Sequence, residues 1–144
     1  MCRVYVNYQN LIVKKSTALK YLIDNSEFFS MIVTIKKPYS QYPPMFNYDV
    51  DLRPFIIKYI FDKQDWLEDF FEREKHQIMI VCRCCKESRN KLQQLPNVFL
   101  AVENNMPENI CFYRNNKLWF GTVTHENMAF LVNATPSEKS FFNT

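Results

Sequence analysis

A mixed α/β (α+β) domain is what this sequence predicts: one mixed sheet of about five to seven strands, helices mainly on one face, and a C-terminal antiparallel meander. Three observations point there. Runs rich in β-branched and aromatic residues, "FFSMIVTIKK", "HQIMIVCRC" and "NICFYRNNKLWFGTV", alternate with shorter stretches at helical spacing. The chain has 144 residues, 47% of them apolar, enough to bury a core without staples and suited to a single domain, 1–144. Asn, Asp, Ser and Pro punctuate the runs, as turns must when the sequence holds one glycine, Gly121.

Taken in order, "RVYVNY" alternates as a short strand does, and "LIVKK" extends it. "STALKYLID" follows as a helix, with Ser16 or Thr17 at its cap and Leu19, Leu22 and Ile23 at helical spacing. "FFSMIVTIKK" is a strand. The stretch 37–50 is a Tyr/Pro-rich loop, kept irregular by Pro38, Pro43 and Pro44. Beyond it "LRPFIIKYIFDKQDWLEDFFEREK" reads as the main helix, capped by Asp51, with Pro54 in its first turn and Phe55, Ile56, Tyr59, Ile60, Leu67, Phe70 and Phe71 as its apolar stripe. Asp65 is a second possible cap.

"HQIMIVCRC" is the clearest strand, "KESRNKLQQL" a short helix ended by Pro96, and "NVFLAVE" another strand. That run suggests a right-handed crossover between parallel neighbours. "NICFYRNNKLWFGTV" is a hairpin turning at Asn115–Asn116, "HEN" a turn, and "MAFLVNA" the last strand. The tail 135–144 is loosely held or a short terminal helix.

The glycine count excludes function classes. Phosphate-cradling loops, dinucleotide fingerprints and nucleophile elbows need glycine where backbone must approach a ligand or turn sharply. Five cysteines, at 2, 82, 84, 85 and 111, fit no disulfide scaffold and indicate a reduced, cytoplasmic chain. No apolar run nears the roughly 18 residues of a membrane span, and the first residues lack a secretory pattern, so no membrane partner is expected.

On a strand, Cys82 and Cys84 share one face and Cys85 the other, and no further His or Cys stands at zinc-site spacing. No metal and no cofactor are expected. Cys85, where the helix begins, has the position of an activated thiol but no recognisable histidine partner. His125, in "THEN" beside Glu126, is the other acid–base candidate, and His76 flanks a strand.

The sharpest pattern is "DWLEDFFE". Asp65, Glu68, Asp69 and Glu72 fall at i, i+3, i+4 and i+7, on the side of a helix opposite Trp66, Leu67, Phe70 and Phe71. Aligned carboxylates of this kind steer and register a basic protein partner. With Tyr42 and Tyr48 as aromatic anchors, they indicate a non-enzymatic interaction module, most concretely an inhibitor or toxin-immunity-type protein, although the net charge of +3 is not that of an acidic inhibitor. A second surface is basic: Arg83, Lys86, Arg89 and Lys91, with Lys14, Lys15, Lys36 and Lys37 as possible additions, suit a phosphate or a nucleic acid. A small hydrolase or nuclease using His125 is the third reading.

Overall fold

The computed structural model describes residues 2–38, 40–44, 46, 50–61, 77–99 and 106–143. Seven strands form one sheet: β1 (Arg3–Tyr5), β2 (Phe28–Thr34), β3 (Ile56–Ile60), β4 (Gln77–Arg83), β5 (Glu108–Arg114), β6 (Lys117–Val123) and β7 (Met128–Val132). Four helices accompany it: α1 (Tyr8–Val13), α2 (Lys15–Asp24), α3 (Lys86–Gln93) and α4 (Pro136–Asn143). The strand order is β1-β7-β6-β5-β2-β4-β3, and every pairing is antiparallel. No helix among the described residues is long and apolar enough to cross a membrane.

The two faces of the sheet carry separate apolar clusters. Leu11, Leu19, Leu22, Leu92 and Phe142 bring all four helices onto one face, against Phe29, Met31, Ile80, Phe112 and Leu131. Ile32, Ile60, Met79, Val81, Cys111, Tyr113, Leu118, Phe130 and Val132 form the cluster of the other face, and each belongs to a strand. Burial on both faces explains why β2 and β4 read as continuous apolar runs rather than alternating ones. A fully buried side chain of this size stabilises by roughly 1.5–3 kcal/mol, so the central strands anchor the domain.

The β5–β6 hairpin, the turn at Thr124–Glu126 and β7 form the expected meander. Asn115, Asn116 and Asn127 take left-handed φ values of 52°, 60° and 50°, as a glycine-poor chain requires at its turns. Gly121 sits under a ring: an added Cβ would lie 2.5 Å from Cζ of Phe130. The tail takes the helical form, with Phe142 buried and Phe141 stacked on Tyr21 at 4.0 Å. Lys15 ends α3 by donating Nζ to the carbonyl oxygens of Leu95 (2.7 Å) and Gln93 (3.3 Å).

Three sequence expectations are corrected. "LIVKK" does not extend β1. Asn7 caps α1 instead, its Oδ1 accepting from the Asn10 N–H at 3.2 Å, and Leu11 is the apolar residue buried there. The main helix expected from Asp51 is absent over its described part. Arg53–Phe55 form one 3-10 turn, held by Asp51 through the Arg53 N–H (3.1 Å) and Nε (2.8 Å), and Ile56–Ile60 are β3. Phe55, Ile56, Tyr59 and Ile60 do have helical spacing, but β-branched residues beside an open edge of β4 pair as a strand. The crossover through α3 does not join neighbours. β4 and β5 run parallel because both are antiparallel to β2, which lies between them, as in a split βαβ unit. Asn97–Phe99 are not strand, and residues 100–103 of the expected strand lie outside the described residues.

Candidate functional site

Asp65, Glu68, Asp69 and Glu72 lie outside the described residues, as do Tyr48 and His76. The described chain just before them is the edge strand β3. A register shift between Ile56 and Lys58 bulges the strand there and leaves Ile57 46% exposed. Phe61, directly after the strand, is 46% exposed and Tyr42 is 71% exposed. Tyr42 meets the Tyr59 ring edge-on at 5.8 Å, and Phe46 stacks on Tyr59 at 6.2 Å. The Tyr/Pro loop is therefore laid partly on the core, with Tyr42 at its outer side. Ile57 and Phe61 were not legible as surface residues while 51–74 read as one helix. The adjacent pair Ile56–Ile57 was the signal, because neighbours on a strand face opposite ways.

The basic residues are only partly gathered. Arg83 ends β4 and is exposed, Cys85 caps α3, and Lys86 opens it. Ser88 and Leu92 are the buried side of α3. Arg89 and Lys91, two residues apart, stand roughly 160° apart around the helix axis, on opposite flanks of that buried side. Lys91 acts on Asp51, whose carboxyl is held below its usual range first by its hydrogen bond with Arg53. Glu87 lies within the patch and is likewise held down, by hydrogen bonds from its own amide and the Cys85 thiol and by the charges of Lys86 and Arg83. Arg83, Lys86 and Arg89 thus form the compact part, with a carboxylate in it.

Cys85 accepts the Ser88 N–H at 3.5 Å while its own N–H donates to Ser88 Oγ at 3.0 Å, a reciprocal cap. Burial pushes the Cys82 and Cys84 thiols well above the ordinary range, so both stay protonated and unreactive at neutral pH. Among the described residues no three His, Cys, Asp or Glu side chains gather as a metal site needs.

His125 pairs with Glu108 across 2.5 Å, Nε2 to Oε2, with the histidine side chain 67% exposed. Beside it Asn109, at a left-handed φ of 55°, accepts from the Thr124 N–H (2.9 Å) and Oγ1 (3.1 Å). These contacts tie the β6–β7 turn to the start of β5.

At the opposite end of β6 lies a cavity of about 250 Å³, lined by Arg114, Asn115, Lys117, Leu118, Trp119, Val132 and Asn133. Arg114 Nη2 donates to Glu138 Oε1 at 3.0 Å, Oε2 lies 2.8 Å from Nη1, and the guanidinium carbon stands 4.4 Å over the Trp119 ring. This cluster was missed in the sequence. A two-residue turn at Asn115–Asn116 makes Arg114 and Lys117 face each other, and that was the available signal.

The chain matches no family model, no curated protein and no solved structure.

Proposed function

We propose that this chain is a non-enzymatic, cytoplasmic protein-interaction module, most concretely an inhibitor or immunity-type protein that occludes a basic surface of its partner. The observation that carries the reading is the exposure of three large apolar side chains on and beside the edge strand β3: Ile57 in its bulge, Phe61 directly after it, and Tyr42 packed on Tyr59. Bulky rings exposed beside a strand edge are costly in water and supply contact area at low entropy cost. Asp65 follows Phe61 by four residues, a tether of at most about 14 Å between Cα atoms. Asp65, Glu68, Asp69 and Glu72 would supply charge complementarity, and Tyr42 and Tyr48 of the Tyr/Pro loop the anchors. Apolar anchors ringed by charge give affinity at the centre and orientation at the rim.

The test is affinity capture with the whole chain, followed by binding measured with the captured protein. A basic partner is expected, lost on Glu68→Lys with Asp69→Lys and weakened about tenfold by Tyr42→Ala or Phe61→Ser, with affinity falling steeply as salt rises. A partner indifferent to all four changes overturns the reading. Salt-sensitive RNA binding abolished by Arg89→Ala would instead favour the basic patch of Arg83, Lys86 and Arg89, and turnover lost in His125→Ala would favour a hydrolase.

A further inference from the structure

Arg114 and Lys117 are direct cross-strand partners at the closed end of the β5–β6 hairpin. Like charges placed opposite one another destabilise a sheet unless something answers them. Glu138 answers Arg114. It is 4% exposed, and it is fixed at the start of α4, accepting the Thr135 N–H at 2.8 Å while its own N–H donates to Thr135 Oγ1 at 3.2 Å. Lys117 is exposed and makes no ion pair among the described residues. Glu27 reaches the same turn, accepting the Asn115 N–H at 2.6 Å, but it comes from the β2 side, whereas the cavity opens toward β7. Arg3 lies opposite Val132, so β1 adds positive charge beside that wall.

We propose that this cavity binds a small organic anion, its carboxylate or phosphate group held between Arg114 and Lys117. The guanidinium is pre-organised: Glu138 holds one edge and the Trp119 ring supports its plane. A guanidinium has five N–H donors, so a third-exposed Arg114 side chain keeps donors for a ligand. A cation already locked in place loses little freedom when it binds, which is the usual route to useful affinity from few contacts. Lys117, exposed and without an ion pair among the described residues, meets the anion from the facing strand. Leu118 and Val132 border the cavity although their side chains are buried in the cluster of the opposite face, and Asn115 and Asn133 offer amides at the rim. At about 250 Å³ the space suits a compact molecule and excludes a dinucleotide.

The experiment titrates the isotope-labelled full chain with inorganic phosphate and, separately, with benzoate, at constant ionic strength set by sodium chloride. Amide signals of Asn115, Lys117 and Asn133 and the Trp119 indole are followed. Saturable shifts confined to that set are expected with at least one probe, about tenfold weaker in Lys117→Ala and recovered in Lys117→Arg. Saturation with phosphate alone identifies a phosphate-bearing ligand, and with benzoate alone a carboxylate. Shifts that never saturate, that chloride reproduces, or that persist unchanged in Lys117→Ala overturn the proposal. Lys117 is exposed at a turn, so its replacement leaves the fold intact, and an unaltered spectrum outside the cavity verifies this in the same experiment.

Discussion

Tyr8 is half-buried at the start of α1, packed against the core of the helical face, and its hydroxyl finds no hydrogen-bond partner among the described residues. Burial raises its pKa to about 12, because the phenolate would be poorly solvated there. A buried hydroxyl without a partner costs more than it returns, so Tyr8→Phe is expected to stabilise the protein by about 1 kcal/mol, read as a higher urea midpoint with unchanged slope. Gly121 behaves in the opposite way. Phe130 lies across the space a Cβ would fill, with three ring carbons at 2.5, 3.0 and 3.1 Å, and the ring itself is buried. The residue is glycine because a neighbouring aromatic covers its backbone, not because a turn demands it. Gly121→Ala must displace that ring and is expected to cost about 2 kcal/mol, a fall of roughly 6 °C in Tm by calorimetry. An unchanged Tm would mean that Phe130 moves aside freely.

Among the elements, β2, β4 and the β5–β6 hairpin were readable because residues buried on both faces, or split by an Asn-Asn turn, leave little alternative. β3 was hidden because Phe55, Ile56, Tyr59 and Ile60 satisfy helical spacing as well as a bulged strand does, and pairing with β4 decides between them. α1 was hidden because one of its six residues, Leu11, is buried, too few to show a period. The candidate site was less legible than the fold. Tyr42 could be picked out as a loop aromatic, whereas Arg114, Lys117 and Glu138 meet only through sheet register and the docking of α4. That docking has a pH signature. Burial pushes the Glu138 carboxyl up, but hydrogen bonds from Arg114 and Thr135 and the guanidinium charge outweigh it, so its pKa falls below the ordinary value. The stabilisation is complete above the unfolded glutamate pKa of about 4.3 and disappears as pH drops through the lower folded value. Glu138→Gln is expected to cost about 2 kcal/mol at pH 7 and progressively less below pH ~4, by urea unfolding at each pH. A loss independent of pH would assign Glu138 a packing role alone.

Across the described residues, the seven-stranded sheet has two edges, β1 and β3, and an open edge is a template on which another chain can add a strand. The β1 edge is three residues long and carries Arg3, whose guanidinium lies 4.5 Å from the Phe130 ring centre, so little backbone is offered there. β3 is the more exposed liability, since its sequence "IIKYI" is β-branched and aromatic and Ile57 and Phe61 already face water. Two features blunt it: the register shift between Ile56 and Lys58, which breaks the regular ladder, and the charge of Lys58 in the middle of the strand. If the exposed side chains on this edge serve a specific partner, the edge must be kept from pairing with copies of itself, and a central lysine does that at small cost to stability. Lys58→Val removes the charge while raising β-propensity. The variant is expected to unfold at nearly the same temperature in dilute solution, yet to scatter light earlier on heating, with an onset that falls as protein concentration rises. Equal onsets for variant and wild type at every concentration would show that the bulge alone protects β3.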